Sequence, residues 1–593
     1  MKQEQLKELY QTQIEPIVRF DGELYKLNSK YKIGTAHIHN QHATLIQKNR
    51  ETQKLFIDFG DLDGAHDGDK VIVKVIFHPK GKTKAKVVKV LNKTYKPLVA
   101  IYCKDENIFK TIKEGISLKL NTDGKNITDG DVYIVQDSKL LEFFGNISDP
   151  KVDEKISCYL YNEFDRLKDT TTKEFNKNID HSRVDLSDLN FTTIDPDGAK
   201  DHDDAIYYDE KNSELYVAIA DVSAYVLENS QLDIEARKKS FSIYLPNKVL
   251  PMLPFELSSD LCSLVPNQKR AAYVFKMKLD TDNHTVVSST LFEAFIVSQK
   301  RYTYDQIDQI LENKSDSYFN NFWDIAQKFR KKRLKSGYDF RSEEIRFVLD
   351  QDHNLVDQKF EHSSASHSLV EECMLLANQE AAKKLGNIGI FRVHDEPSAS
   401  KIYELVEQVN ALGLKVKLKD NVHNTILSIQ QKATNAKLEK EVDDLIIKAQ
   451  QQAFYSSKKS QHFGLGFDDY SHFTSPIRRY ADLVLHRILK SGKIPKDIED
   501  ICEDISNQER EIAKLVWDYE DRKYARWSKE HISEVYEAVI TDTSMGHAKI
   551  DDEKIKGVKV TLEKYNGEKL FSRINIKIVK SDIVTKKIIA KVV

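Results

Sequence analysis

The segment Thr192-Thr193-Ile194-Asp195-Pro196-Asp197-Gly198-Ala199-Lys200-Asp201-His202-Asp203-Asp204-Ala205-Ile206 crowds five carboxylates between two apolar runs. Phe191 to Ile194 and Ala205 to Tyr208 read as β-strands, rich in β-branched and aromatic residues, with Pro196 and Gly198 supplying the turn. The acids therefore sit on a loop tied at both ends. Two carboxylates about 4 Å apart repel by about 4 kcal/mol at an effective dielectric near ~20. Such a cluster protonates, splays into water or holds a cation. Hard oxygen ligands suit magnesium, manganese or calcium, whereas zinc wants His and Cys, and His202 alone does not supply that set. The calcium EF-hand pattern fails, because it needs Asp or Asn where Ala199 stands and Gly where Lys200 stands. A solvated acidic turn is the plain alternative, and the loop by itself does not decide between the two.

A chain of 593 residues exceeds one core, and three or four domains follow from about 150 residues each. Charged residues make up 31%, hydrophobic ones 40%, and mean hydropathy is -0.53, as in a soluble, folded protein. No apolar run is long enough to span a bilayer, and Met1 to Pro16 is polar and helix-forming, unlike a signal peptide. A cytoplasmic protein without membrane association is expected. Cys103, Cys158, Cys262, Cys373 and Cys502 are scattered without a Cys-x-x-Cys pair, which argues against a disulfide framework or zinc ribbon. A net charge of -3 excludes indiscriminate coating of nucleic acid. Yet no acid lies between Asp69 and Asp105, where Lys70, Lys74, Lys80, Lys82, Lys84, Lys86, Lys89, Lys93 and Lys96 accumulate. Lys577, Lys580, Lys586, Lys587 and Lys591 form a second run. Lysines alternating with Val and Ile place ammonium groups on one strand face, which is either a phosphate-tracking surface or an ordinary solvated one.

After a short N-terminal helix, Val18 to Val90 and Pro97 to Glu142 read as short strands. Turn signals fall at Asn28-Ser29, Asp61 to Gly64, Asp67-Gly68, Thr122-Asp123-Gly124 and Asp129-Gly130. Two small β barrels are expected. Asp149 to Asn190 turns polar, as a linker would. Helices are expected over Ser368 to Leu385, Ile402 to Leu412 with Gly413 closing it, and Ile426 to Tyr455. Another should cover Ile498 to Trp527, burying Ile498, Ile501, Ile505, Ile512, Val516 and Tyr519. Alternation in Lys556 to Glu563 and Arg573 to Val579 closes the chain with a third β domain.

In Ser471-His472-Phe473-Thr474-Ser475-Pro476-Ile477-Arg478-Arg479-Tyr480-Ala481-Asp482-Leu483, Ser475 reads as an N-cap and Pro476 as the first helical residue. Arg478 and Arg479 then fall in the first turn, where they oppose the macrodipole. That is tolerated when guanidinium and free N–H groups share an anion such as phosphate. An ion pair to Asp468, Asp469 or Asp482 is the alternative. A carboxylate-held cation with an arginine aimed at phosphate is equipment for phosphodiester cleavage.

Together with Tyr244-Leu245-Pro246, Met252-Leu253-Pro254, Leu261-Cys262-Ser263-Leu264 and Glu371-Glu372-Cys373-Met374, these motifs resemble the ribonuclease II and ribonuclease R (RNB-domain) exoribonuclease family, and its ribonuclease R branch most. The resemblance runs from about Asp185 to Trp527. It implies a multidomain α+β chain with a central mixed α/β RNB catalytic domain over 186–528, flanked by small all-β OB-fold barrels. A helix over 1–16 would precede a cold-shock-like barrel over 17–95 and a shortened second one over 96–150. A linker over 151–185 and a shortened C-terminal OB barrel over 534–593 complete the expected order. The implied activity is processive hydrolysis of single-stranded RNA from its 3′ end to nucleoside 5′-monophosphates, by a monomer.

By the same resemblance Asp195, Asp201, Asp203 and Asp204 match the magnesium-site aspartates, with two ions during catalysis and manganese as the alternative. One ion would activate a water and the other stabilise the leaving 3′ oxygen. Asp203 and Arg478 match the catalytic pair, Arg478 being the arginine at the scissile phosphate. Tyr244 and Phe340, in Asp339-Phe340-Arg341-Ser342-Glu343-Glu344, match the aromatics that clamp the terminal bases. Glu372 matches the acid near ribose hydroxyls, and Arg479 supports either the fold or the RNA backbone. Asp197 and His202 fall outside the set, and His362, His367, His394 and His486 read as packing or surface residues. An RNA-binding protein that had lost catalysis would have lost ligands, and a calcium-stabilised structural protein is disfavoured by the spacing. Ile33 to Ile38 lacks the aromatic-rich strand of a nucleic-acid-binding cold-shock domain, and duplex unwinding is not implied.

Overall fold

The computed structural model describes the chain apart from residues 1–2, 13–15, 39–42, 47–54, 66–67, 77–83, 93–96, 121, 123, 137–138, 169–173, 341–342 and 566. Asp67, Lys80, Lys82, Lys93, Lys96, Asp123, Arg341 and Ser342 therefore lie outside the described residues. The chain divides into two compact units, 1–160 and 161–593.

In the first unit the helix Gln3–Thr12 buries Leu6 and Leu9 with Ile17, Val18, Tyr31 and Ile72. The strands Tyr31–Ile38, Ala43–Ile46, Leu55–Ile57, Lys84–Asn92 and Lys70–Ile76 close into a barrel in that order. Alternation breaks in Lys70–Ile76, where Val71, Ile72 and Val73 are all buried. Val71 and Val73 face the barrel interior while Ile72 packs beneath the N-terminal helix, so both faces are covered. The lysine face is partly neutralised, since Lys84 meets Asp58 at 2.6 Å and Lys86 meets Asp61 at 3.6 Å. The second β region forms a sheet in the order Ser117–Leu118, Ile108–Thr111, Leu98–Cys103, Asp131–Gln136, Lys139–Asn146, whose described strands do not close. Its edge strand is only 2 residues long. The stretch expected to begin a linker instead forms the helix Val152–Leu160 against this sheet. Lys155 Nζ donates to Phe144 O at 3.0 Å and the Tyr159 hydroxyl to Pro97 O at 3.1 Å.

The second unit is built on a mixed sheet in the order Val184–Asp185, Thr285–Thr303, Phe191–Asp195, Asp204–Asp209, Glu214–Ala220, Lys269–Asp280. The long strands Thr285–Thr303 and Lys269–Asp280 also pair with each other, so the sheet curls onto its own edge. Phe191–Asp195 runs parallel to Thr285–Thr303, and the other long pairings are antiparallel. Phe191, Ile206, Val217, Ile219 and Phe275 form its core with Leu369, Phe473 and Leu483 from the covering helices and the segment before them. Those helices are Ala365–Lys384 and Tyr480–Ser491.

The helix expected over Ile426 to Tyr455 is broken into Val422–Ala436 and Glu439–Ala449, followed by the strand Phe454–Lys458. Lys437 turns left-handed at φ 57° and ends the first piece. The long helix extends over Ile498–Glu530 with Ile498, Ile501, Ile505, Leu515 and Tyr519 buried, while Ile512 and Val516 are half-buried. A closed C-terminal barrel comprises Val535–Asp542, His547–Asp551, Lys556–Leu562, Lys587–Val592 and Arg573–Asp582. It is fastened to the long helix by Ser581 Oγ donating to Ala525 O at 2.7 Å and the Tyr524 hydroxyl donating to Lys556 O at 2.8 Å. Among the described residues no helix is long and apolar enough to cross a membrane.

His486 is fully buried on Tyr480–Ser491, its Nε2 donating to Phe473 O at 2.8 Å. Burial lowers its pKa from 6.5 to about 4, so the unfolded chain binds a proton that the fold refuses. The contribution of this residue to stability is complete above pH 6.5 and is lost as pH falls toward 4. The expected slope is about 1.4 kcal/mol per pH unit. Thermal midpoints between pH 7.5 and 4.5 should fall less steeply for His486→Gln than for the parent chain, and parallel curves would discard this account.

Candidate active site

Asp195 ends one strand and Asp204 opens the next, so the sheet delivers both ends of the acidic loop. The loop between them is fastened by the protein. Arg301 Nη2 donates to Pro196 O at 2.9 Å, and Ser263 Oγ donates to Lys200 O at 2.8 Å while accepting from His202 N at 3.0 Å. Leu264 N donates to His202 O at 3.0 Å and Ala220 N to Asp203 O at 2.8 Å. A turn pinned at Pro196, Lys200, His202 and Asp203 is not a solvated surface loop. Asp197 is the exception, its side chain 96% exposed.

Three carboxylates each have one oxygen engaged. His202 Nδ1 lies 2.7 Å from Asp195 Oδ2. The Tyr244 hydroxyl donates to Asp201 Oδ2 at 2.5 Å. Ile477 N donates to Asp203 Oδ1 at 2.8 Å. Asp203 Oδ2 is buried with no hydrogen-bond partner, and Arg478 Nε stands 3.4 Å from it. Burial pushes the Asp203 carboxyl well above its usual range, against the opposing pull of Arg478. Burial, with the Asp195 charge next, pushes Asp204 up to about 7. Among the described residues no three His, Cys, Asp or Glu side chains form a ready-made chelating group.

Arg478 does not lie in a helix. Residues 476–478 form a turn, Arg479 follows in extended backbone, and the helix begins at Tyr480, later than the Ser475-Pro476 signal implies. The displacement has a cause in Asp482, which accepts from Ser475 N at 2.8 Å and grips Arg479 through Nε at 2.9 Å and Nη2 at 2.8 Å. The anion expected at this turn is, for Arg479, that carboxylate. Arg478 keeps a side chain 46% exposed, steadied by Nη2 donating to Ser475 Oγ at 3.1 Å.

Residues 183–493 match the RNB domain family model, residues 99–158 the ribonuclease R second OB domain, and residues 46–103 the cold shock domain. Ribonuclease R of Helicobacter pylori strain ATCC 700392 / 26695 is 34% identical over 476 residues, covering 75% of this chain and 72% of that protein. The chain belongs to the ribonuclease R family. Its fold is similar to that of Mycoplasma genitalium RNase R in complex with ribose methylated single-stranded RNA, with a TM-score of 0.81 and 25% identity over 95% of this chain and 100% of that one. Yeast Ssd1, a pseudonuclease, is 16% identical with a TM-score of 0.70 over 95% of this chain and 80% of that chain. Fold alone therefore does not specify chemistry, and the side chains must.

Of the remaining residues matched to the family, Tyr244 is brought onto the acid loop and Phe340 is not. Phe340 lines a cavity of about 1070 Å³ with Trp323, Lys331, Lys335 and Lys440, whose lining includes none of the four aspartates. The strap carrying it is set by a glycine contact, since a Cβ on Gly337 would lie 2.5 Å from Leu465 O. Glu371 and Glu372 fall in the second turn of Ala365–Lys384 and do not open it. Glu372 is buried against Arg333, with Nη2 at 2.5 Å and Nε at 3.1 Å, while Glu371 is 44% exposed and meets Arg330 at 2.9 Å.

Sequence reasoning missed the roles of three neighbours of the acids. His202, set aside as a ligand, orients Asp195 instead, and Ser263 buttons the loop down. Tyr304 follows Thr303, the strand partner of Asp195, and stacks on His367 at 3.8 Å. Burial first, then the charges of Asp204 and Asp195, raise the pKa of Tyr304. The signal for Tyr304 was present in the capping box of Thr303 and Gln306, which marks a strand-to-helix junction beside the loop. Ser263→Ala should free the loop and lower kcat about ten- to a hundredfold, with RNA affinity held within about twofold. A kcat equal to the parent in steady-state assays would show that the loop holds without it.

Proposed function

We propose that this exoribonuclease of the ribonuclease R family hydrolyses single-stranded RNA processively to nucleoside 5′-monophosphates, with magnesium, or manganese in its place, held by Asp195, Asp201, Asp203 and Asp204. One observation carries the reading: Asp203 Oδ2, buried without a hydrogen-bond partner beside Arg478 and close to the charges of Asp201 and Asp204. An orphaned carboxylate oxygen in such a setting fits a hard cation. The donor set is all oxygen, as magnesium prefers. Bound there, a pair of such ions would supply Lewis acidity to activate water and offset charge on the phosphate and the departing 3′ oxygen.

The residues of the chain do the rest. The Ile477 amide and Arg478 hold Asp203 in place, and the exposed guanidinium of Arg478 takes the charge that builds on the scissile phosphate. Water adds to that phosphorus, the bond to the 3′ oxygen breaks, and a proton passes to the 3′ oxygen, releasing a 5′-monophosphate. Tyr244 and Phe340 offer rings to the terminal bases, a grip that tolerates any sequence and so suits repeated stepping. Glu372 and Arg479 work from behind, Glu372 by holding Arg330 and Arg333, Arg479 by locking the turn that presents Arg478. We read 186–528 as the catalytic body and 534–593 as an RNA-holding barrel, in a cytoplasmic monomer.

A 5′-labelled single-stranded RNA should shorten to a small remnant with magnesium and remain intact with EDTA. Asp203→Asn should cut at least about a hundredfold slower while still binding RNA, and loss of binding would remove the assigned role. Tyr244→Ala should change the length of the final product on a sequencing gel; an unchanged ladder would demote the clamp.

A further inference from the structure

A tyrosine on the outer face of a two-stranded hairpin ordinarily turns its hydroxyl to water. Tyr244 does not. It stands between the buried Ile243 and Leu245 on the hairpin Ile243–Leu245 and Lys248–Leu250, 45% exposed, with its hydroxyl delivered to Asp201 Oδ2 at 2.5 Å. We propose that the Tyr244 hydroxyl is a positioning group for the cation-holding carboxylate Asp201, so that one side chain serves the terminal base with its ring and the cation site with its oxygen. The proposal rests on the reading of the acids given above.

Stacking alone does not account for this contact. A base stacks on phenylalanine or tryptophan as well as on tyrosine, and only tyrosine brings a donor. A phenolic O–H donated to one carboxylate oxygen fixes the plane of the carboxylate and leaves the other oxygen to a cation. Asp195 and Asp203 are treated alike, each with one oxygen tied to His202 or to the Ile477 amide. Tyr244 completes the pattern at the third acid.

The hairpin is held firmly enough for the hydroxyl to act as a fixed point. Ser242 N donates to Arg478 O at 3.0 Å, and Ser242 Oγ accepts from Met252 N at 3.0 Å. Phe241 bridges to Arg479 in antiparallel fashion, and the Tyr519 hydroxyl donates to Asn247 Oδ1 at 3.2 Å. Arg166 seals the base, with Nη1 donating to Phe241 O at 2.5 Å and Nη2 to Lys239 O at 2.6 Å. The hydroxyl that orients Asp201 is thus referenced to the same backbone that presents Arg478 and the Ile477 amide to Asp203. Ring, arginine and acids share one frame.

The test is a manganese titration of the full chain without RNA, read by the electron paramagnetic resonance signal of free Mn²⁺, on the parent, Tyr244→Phe and Asp201→Asn. Anisotropy of a labelled single-stranded RNA in EDTA runs beside it. Tyr244→Phe should weaken the tightest manganese site about tenfold and leave RNA affinity within about twofold, because the ring remains. If Asp201→Asn loses that site while Tyr244→Phe keeps the parent affinity, this inference falls and the cation reading stands. If Asp201→Asn keeps the site, both fall. A loss of RNA affinity in Tyr244→Phe with manganese binding unchanged would place the hydroxyl on RNA and overturn the proposal.

Discussion

The hydrogen bond from the Ile477 amide to Asp203 Oδ1 joins residues 274 apart in sequence, and the second unit is arranged around it. Asp203 also passes its backbone carbonyl to Ala220 N, so the neighbouring strand, the acidic loop and the arginine turn meet at one residue. Taking a carboxylate out of water costs several kcal/mol unless it is paired and its lone pairs are met. Here one oxygen is met by the amide and the other faces only Arg478 at 3.4 Å, a guanidinium that is itself half in solvent. The fold thus keeps a charge site incompletely compensated at the place where chemistry is assigned. Stability of the surrounding sheet, whose core residues are almost wholly buried, offsets it.

Two adjacent pairs of like charge divide their labour in the same way. Arg479 is sunk onto Asp482 and fastens the turn, while its neighbour Arg478 faces outward. Glu372 is sunk onto Arg333 while its neighbour Glu371 faces outward. In each pair the more enclosed member holds the fold, Arg479 through Asp482 and Glu372 through Arg333, while its neighbour stays nearer the surface. A bidentate arginine on a fully buried carboxylate is worth keeping only with its partner intact, because removing one side strands the other charge. The turn carrying Arg478 is therefore as dependent on Asp482 as on its own residues.

The acids and Arg478 were legible in the sequence because each lies in a dense local pattern: five carboxylates in ten residues, two arginines after Ser-Pro. The strands around the loop were legible for the same reason, since β-branched runs bounded by Pro and Gly are local signals. What could not be read were partnerships across long separations. Ser263 reaches the loop from 61 residues away and Asp482 displaces a helix start that the capping signal placed at Ser475. Nothing near Tyr244 announces that its hydroxyl would find Asp201, and nothing in Glu371-Glu372 says which of the two is buried. Local propensity located the elements, and tertiary pairing then moved boundaries and chose among equivalent side chains.

A protein with this fold and no nuclease activity has no use for the arrangement at Asp203. An asparagine there would still offer an oxygen to the Ile477 amide, and replacing an undercompensated buried charge by a neutral group of similar size is often neutral or stabilising. Keeping Asp203 with an orphaned oxygen, its carboxyl pushed up by burial and then by the charges of Asp201 and Asp204, is thermodynamically unfavourable for a scaffold that only binds. The arrangement becomes favourable once a cation occupies it, since binding to the folded state alone returns stability by mass action. The physical cost of the acid cluster is therefore itself an argument for its use, and it is the feature that separates this chain's reading as an enzyme from a reading that rests on fold.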